Sequence, residues 1–225
     1  MGKMFDTLYA MMFKELKKIW CRIKDIIIPP SKEELIRRKQ QEDYAYLISR
    51  GVETELGYVT LIGKPSIERA YNSRIIIGKG VTLISESTAN TAGINHPVII
   101  SAEGYDSVIR IGDGVGISGA SIVTCSEIEI GEGTMIGANC NIYGTDFHPI
   151  SAKDRMFQKT TTEAQTAPIK IGKNCWLASN VTVLKGVTIG DESVVGAMSL
   201  VNKKVDARVI VAGVPAKLIR KIENF

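Results

Sequence analysis

A three-sided parallel β-helix is the fold this sequence predicts, and three observations predict it. The phrase Ile-x-Ile-Gly, opened by valine in its last copy, recurs at residues 75–81, 109–115, 128–134, 169–175 and 187–193. From residue 171 to 201 an aliphatic returns every six positions without a slip: Ile171, Leu177, Val183, Ile189, Val195, Val201. Apolar residues make up 44 % of the chain but aromatics only 6 %. Small and β-branched side chains must therefore fill the interior, as they do where repeats stack.

A period of six is neither the 3.6 of an amphipathic helix nor the 2 of a simple strand. Four residues after each aliphatic comes a small or medium side chain (Cys175, Val181, Val187, Ser193, Ser199, Val205), and the next position after the aliphatic is mostly small: Gly172, Ala178, Gly190, Gly196. A short strand and a tight turn, three times per coil, satisfies this pattern. Each coil then takes about 18 residues, and like faces stack as parallel strands about 4.8 Å apart. Ile171 to Ile189 is 18 residues and Ile111 to Ile130 is 19, but Ile77 to Ile111 is 34 and Ile130 to Ile171 is 41. The surplus marks two loops leaving the helix near residues 85–97 and 145–167. Residues 59–206 then make about six coils, inside a domain spanning 56–212.

Residues 1–55 carry no hexads and are expected to be helical, as is a short tail over 213–225. Phe5, Leu8, Met12, Ile19, Ile23 and Ile26 follow helical spacing up to Pro29 and Pro30. Ser31 and Glu34 form a capping box for a second helix, which Gly51 stops. Segment 1–28 holds most of the chain's net charge of +4. It reads either as a basic helix lying on an anionic membrane surface or as packing against a subunit or the end of the β-helix. The charge is too small to argue for nucleic acid. No secretory signal or membrane-spanning stretch is visible. The four cysteines form no CxxC pair, which points to reduced thiols and a cytoplasmic setting.

The hexads, the 171–201 run and the closing residues 212–217 (Ala-Gly-Val-Pro-Ala-Lys) resemble the left-handed β-helix acetyltransferases. The galactoside, maltose and xenobiotic acetyltransferases are the nearest group, with the surface-polysaccharide acetyltransferases beside them. The resemblance implies left-handed coils, acetyl-CoA as co-substrate, a sugar acceptor, a role in polysaccharide biosynthesis, and a homotrimer whose sites lie between subunits.

The two histidines, His96 and His148, each fall in a loop. Acyl transfer to a hydroxyl or amine needs a base near neutral pKa, which imidazole supplies. His148 stands at the foot of the larger loop, before Pro149, where the family places its catalytic histidine. Asp146 shares its side if the chain stays extended, and would orient the ring or bind the acceptor. Asn141, Tyr143 and His96 are candidate acceptor contacts. On the donor side the resemblance implies Trp176, Ala178, Ser179, Ala197, Asn202, Lys203, Lys217 and Arg220, with Asn202 standing where a threonine is usual. Basic side chains among these would meet the coenzyme phosphates. Zinc chemistry of the γ-carbonic-anhydrase kind needs three imidazoles, and the chain has two. The rival readings are N-acetylation of a nucleotide-linked amino sugar, with Lys153, Arg155 and Lys159 on its diphosphate, and a non-catalytic β-helix scaffold.

Overall fold

In a computed structural model of the protein, the described residues are 14–15, 30–159 and 161–223. Residues 1–39 and 40–225 form two bodies. The first predicted helix falls outside the described residues, apart from helical Lys14 and Glu15. The second runs Lys32–Ser49. Its N-terminus is capped as predicted, the Glu34 N–H donating to Ser31 Oγ at 3.1 Å. Gly51, at φ 73, ends it.

The larger body is a parallel β-helix. Its first sheet stacks Val52–Glu53, Arg74–Ile77, Val108–Ile111, Glu127–Ile130, Ile169–Ile171 and Thr188–Ile189. The second stacks Val59–Ile62, Val81–Ile84, Gly116–Ser118, Met135–Ile136, Trp176–Leu177, Val194–Val195 and Val209–Ala212. The third stacks Ser66–Arg69, Ile99–Ala102, Ser121–Thr124, Asn141–Tyr143, Thr182–Leu184 and Leu200–Val201. Register follows the hexads: Ile75 pairs with Ile109, Ile109 with Ile128, and Ile128 with Ile169. The β-helix begins at Val52, a few residues earlier than the predicted 56, because Val52 already pairs with Ile75.

Both predicted inward positions are buried. Leu177, Val183 and Val195 are fully enclosed, and so are the smaller Cys175, Val181 and Ser193 between them. A hydroxyl there needs a partner. Ser193 Oγ donates to the Asp206 carbonyl at 2.7 Å, and Thr134 Oγ1 to the Gly172 carbonyl at 2.8 Å. Burial pushes the Cys140 thiol up to about 11, so it packs as a small apolar group. The turn position needs a small residue because coils nearly touch there: a methyl group on Gly190 would lie 2.4 Å from the Ala207 nitrogen.

From Gln40 onward the helix covers the open first coil. Leu47 is buried, Asp43 Oδ2 accepts the Leu61 N–H at 3.1 Å, and the Tyr46 hydroxyl donates to the Pro65 carbonyl. The far end differs from the prediction. Lys217–Lys221 is a strand, not part of a helical tail, and runs antiparallel to Val209–Ala212. Gly213, at φ 104, turns the chain back. The edge of the last rung is thereby paired, which a short helix would have left bare.

The first sheet's outer face is a ladder of exposed ion pairs: Arg74 with Glu53, Arg110 with Glu127, Lys170 with Glu129. Such pairs contribute little, whereas each inward aliphatic is packed on all sides. Leu177→Ala should therefore cost about 2–5 kcal/mol in denaturant unfolding, and Lys170→Ala less than about 0.5 kcal/mol.

Candidate functional site

The larger interruption lies where the third sheet turns into the first. The Gly144 N–H donates to the Val123 carbonyl at 2.8 Å, and the Ala167 N–H to the Gly144 carbonyl at 3.1 Å. The excursion thus leaves and rejoins the coil at one point, and Thr145 pairs with Thr166 across its foot. There the His148 N–H donates to the Asp146 carbonyl at 2.7 Å, closing a three-residue turn around Phe147 at φ 61. A non-glycine residue in that region costs on the order of 1–3 kcal/mol and persists only if its surroundings impose it. Here they do. Thr145 Oγ1 accepts the Phe147 N–H, Gln158 Nε2 donates to the Phe147 carbonyl at 2.7 Å, and the Tyr143 ring meets the Phe147 ring edge-on at 5.1 Å. The Tyr143 hydroxyl in turn donates to Asn141 Oδ1 at 2.8 Å. Two predicted acceptor contacts therefore brace the turn that presents His148.

His148 is exposed, and its Nδ1 lies 2.8 Å from Gln158 Oε1. Because the Gln158 amide nitrogen is donating to a carbonyl, its oxygen is the atom facing the ring. A carbonyl oxygen only accepts, so Nδ1 carries the hydrogen and Nε2 keeps the basic lone pair. Nothing in the sequence signalled Gln158, which enters from ten residues downstream. Its own neighbourhood explains how it arrives: Ser151 caps the short helix Ala152–Phe157, whose end delivers Gln158 to the turn.

The expectation for Asp146 as the ring's orienter is not met. The Phe147 turn breaks the extended run that would have put Asp146 and His148 on one side, and Asp146 pairs with Lys185 at 2.7 Å. Nor does Arg155 stand ready for a diphosphate. Its guanidinium donates to the carbonyls of Pro149 and Ile150 and so holds the excursion together.

His96 sits on the smaller excursion, between the second and third sheets, its Nδ1 2.7 Å from the Pro97 carbonyl. It thus lies at a different corner of the coil from His148. The side chain of Asn139 ties that excursion down, accepting from the Asn95 N–H and donating to the Gly93 carbonyl.

Six of the eight predicted donor residues fall into two clefts and a stripe between them. Trp176, Ala178 and Ser179 line one of about 420 Å³, together with Met135, Asn90 and Ala92. Ala197 follows in the next coil, where the Met198 N–H donates to the Ser179 carbonyl at 3.0 Å. Asn202 and Lys203 line the second cleft, of about 510 Å³, with Lys204, Arg208 and Lys221. Lys217 and Arg220 lie on the final strand and do not line that cleft. The antiparallel return of the tail brings Lys221 to Lys204 and Arg208, a gathering that no sequence spacing records.

Residues 168–203 match the bacterial transferase hexapeptide family (six repeats), and 127–146 the hexapeptide repeat of succinyl-transferase. The galactoside O-acetyltransferase of Escherichia coli (strain K12) is 36 % identical over 152 residues, 66 % of this chain and 71 % of that protein. The chain belongs to the hexapeptide-repeat acetyltransferases. Among solved structures, the polySia-specific acetyltransferase NeuO is 26 % identical with a TM-score of 0.55, over 77 % of this chain and 71 % of that one. A maltose O-acetyltransferase from Clostridium difficile 630 shares the fold at a TM-score of 0.52 and 20 % identity, over 92 % and 86 %.

The fold is accordingly the left-handed parallel β-helix of this acetyltransferase family. In this acetyltransferase the imidazole and the small-residue stripe occupy different corners of one chain. Lys185, which holds Asp146 beside His148, is six residues along from Ser179, a separation of up to about 20 Å. If Gln158 sets the tautomer, nitrogen-detected NMR of the neutral ring should show His148 protonated at Nδ1. In Gln158→Leu the two tautomers should mix. An Nδ1-protonated ring that is unchanged in that variant would show that something else orients it.

Proposed function

We propose that the protein transfers the acetyl group of acetyl-CoA directly to a sugar hydroxyl, with His148 as general base. The observation that carries this reading is the Gln158 contact, which engages Nδ1 of an exposed imidazole and leaves the lone pair on Nε2. Nε2 takes the proton of the acceptor hydroxyl as that oxygen attacks the thioester carbonyl. A backbone N–H holds the tetrahedral oxyanion. The C–S bond then breaks, and the imidazolium returns its proton to the departing thiolate, so no acyl-enzyme forms.

A sugar acceptor is favoured by the galactoside O-acetyltransferase relative. The polySia specificity of NeuO points the same way, and we place the acceptor in a surface polysaccharide. Acetyl-CoA runs along the corner carrying Trp176, Ala178, Ser179 and Ala197, where turn amides bond the pantetheine arm. Its phosphates lie in the C-terminal cleft of Asn202, Lys203, Lys204 and Lys221. Asp146, held by Lys185, contacts the acceptor. Because His148 and the donor corner are on separate edges of the third sheet, we place each site between two copies of a homotrimer. The charge ladder keeps the first sheet in solvent, whereas the second sheet exposes apolar Ile62, Met135, Trp176 and Leu218 to a neighbour. Among the described residues no helix is long and apolar enough to cross a membrane. We assign the enzyme to the cytoplasm, where its donor is made.

His148→Ala should lower acetyl transfer at least about a hundredfold, followed as free CoA thiol, while acetyl-CoA binding stays near normal. Unchanged turnover would overturn the mechanism. In the same assay Lys203→Ala should raise the acetyl-CoA KM several-fold, an effect shrinking with salt. Lys217→Ala, outside the cleft, should do less.

A further inference from the structure

Tyr71 and Tyr105 are 83 % and 65 % exposed and stacked on each other, with ring centroids 6.0 Å apart and planes 27° from parallel. They occupy equivalent turns from the third sheet to the first, one coil apart. The residue after each, Asn72 and Asp106, is in the left-handed region at φ 59 and 60. The Asn72 amide nitrogen donates to Asp106 Oδ1, linking the two turns. Within each turn a buried serine closes the bend: Ser73 Oγ donates to the Ala70 carbonyl at 2.8 Å, and Ser107 Oγ to the Gly104 carbonyl at 2.7 Å. The backbone thus fixes where both rings stand, without burying either.

The same corner carries His148. Along the third sheet the strands Ser66–Arg69, Ile99–Ala102, Ser121–Thr124 and Asn141–Tyr143 are successive neighbours. The Tyr105 turn is therefore two rungs, about 10 Å, from the foot of the His148 excursion, and the Tyr71 turn about 14 Å. That is beyond one sugar ring but within reach of the next units of a chain.

We propose that Tyr71 and Tyr105 form a stacking platform for a distal sugar unit of an oligosaccharide or polysaccharide acceptor. This rests on the reading of His148 as the base of a sugar acetyltransferase. A pyranose has an apolar C–H face and a rim of hydroxyls. The tyrosines offer apolar ring faces with polar tips, and the exposed Asn72 and Asp106 side chains beside them offer hydrogen-bond partners for the rim. A protein partner suits the site poorly. A stable interface needs about 1,000 Å² with an apolar core, whereas the chain next to this pair carries exposed Glu68, Arg69, Asn72 and Asp106. Anchoring a distal unit raises the effective concentration of the reacting unit at His148. The benefit therefore appears in KM for long acceptors and leaves kcat alone.

The test compares short and long members of three series by thiol release. They are methyl β-galactoside with galactotetraose, maltose with maltohexaose, and N-acetylneuraminic acid with its α2,8-linked hexamer. In at least one series the unsubstituted enzyme should prefer the longer member. Y71A/Y105A should reduce that preference about five- to tenfold through KM and leave the shorter member unaffected. Y71F/Y105F, which keeps the rings, should retain most of it. Any one of the following overturns the proposal: no chain-length preference in any series, a preference untouched by Y71A/Y105A, equal loss on short and long members, or a changed sedimentation coefficient showing that the rings seat another copy. Acetylation of short sugars without a chain-length effect would sink the platform and leave the sugar-acetyltransferase reading standing. If no sugar of either length accepts acetyl groups, both fall.

Discussion

A buried aliphatic side chain every sixth residue is the constraint on which the rest of this structure depends. A chain that must put Ile171, Leu177, Val183 and Ile189 on one axis has to turn between them, and three turns return it to its starting face one strand spacing higher. Parallel pairing then satisfies the backbone, and the positions between the aliphatics are left with two fates. Some are drawn inward and must be small or hydrogen-bonded, like Cys175 and Ser193. The rest point outward and need only suit what lies outside.

Both excursions leave the β-helix at its corners, where the chain turns from one sheet to the next. The corner between the third and first sheets carries the Tyr71 and Tyr105 turns and then the excursion with His148. The corner between the second and third carries the other excursion and the small-residue stripe of Ala178, Ser179 and Ala197. Both excursions are grafted on without breaking the stack. Gly144 and Ala167 keep the rungs in order around the larger one, and Asn139 fastens the smaller one to the next coil but one. The strained turn at Phe147 is the local cost of holding an imidazole in place on a loop. A strand, a hydroxyl and the returning Gln158 amide impose it together.

What was legible in the sequence follows the same division. The sheets, their register, both excursions and the caps of the helix Lys32–Ser49 are local or periodic, and periodicity gave them. The tail is a strand where the sequence suggests a helix, because its state depends on the edge of Val209–Ala212, a partner that exists only once the last coil is wound. His148 is singled out by the family resemblance and by Pro149 after it, whereas Gln158, which reaches its ring, carries no such mark. Asp146 has the right chemistry at the right separation in an extended chain, but the positive φ of Phe147 turns it away to Lys185. Gln158 reaches the ring by a fold of the excursion that no spacing records. Likewise the antiparallel return of the tail brings Lys221 to the cleft of Lys204 and Arg208, whereas its sequence neighbours Lys217 and Arg220 do not line it.

In the proposed trimer each site joins His148 of one copy to the donor corner of another. Two variants, each inactive alone, test it most directly. One is His148→Ala, and the other is Ser179→Trp, which fills the donor corner while leaving the inward positions untouched. Co-expressed with different tags and purified as mixed oligomers, they should regain activity, reaching about a third of the unsubstituted enzyme, because each mixed trimer holds one intact site of three. Verified mixed oligomers that stay as inactive as their parents would mean that base and donor meet within a single chain, and the account would be wrong.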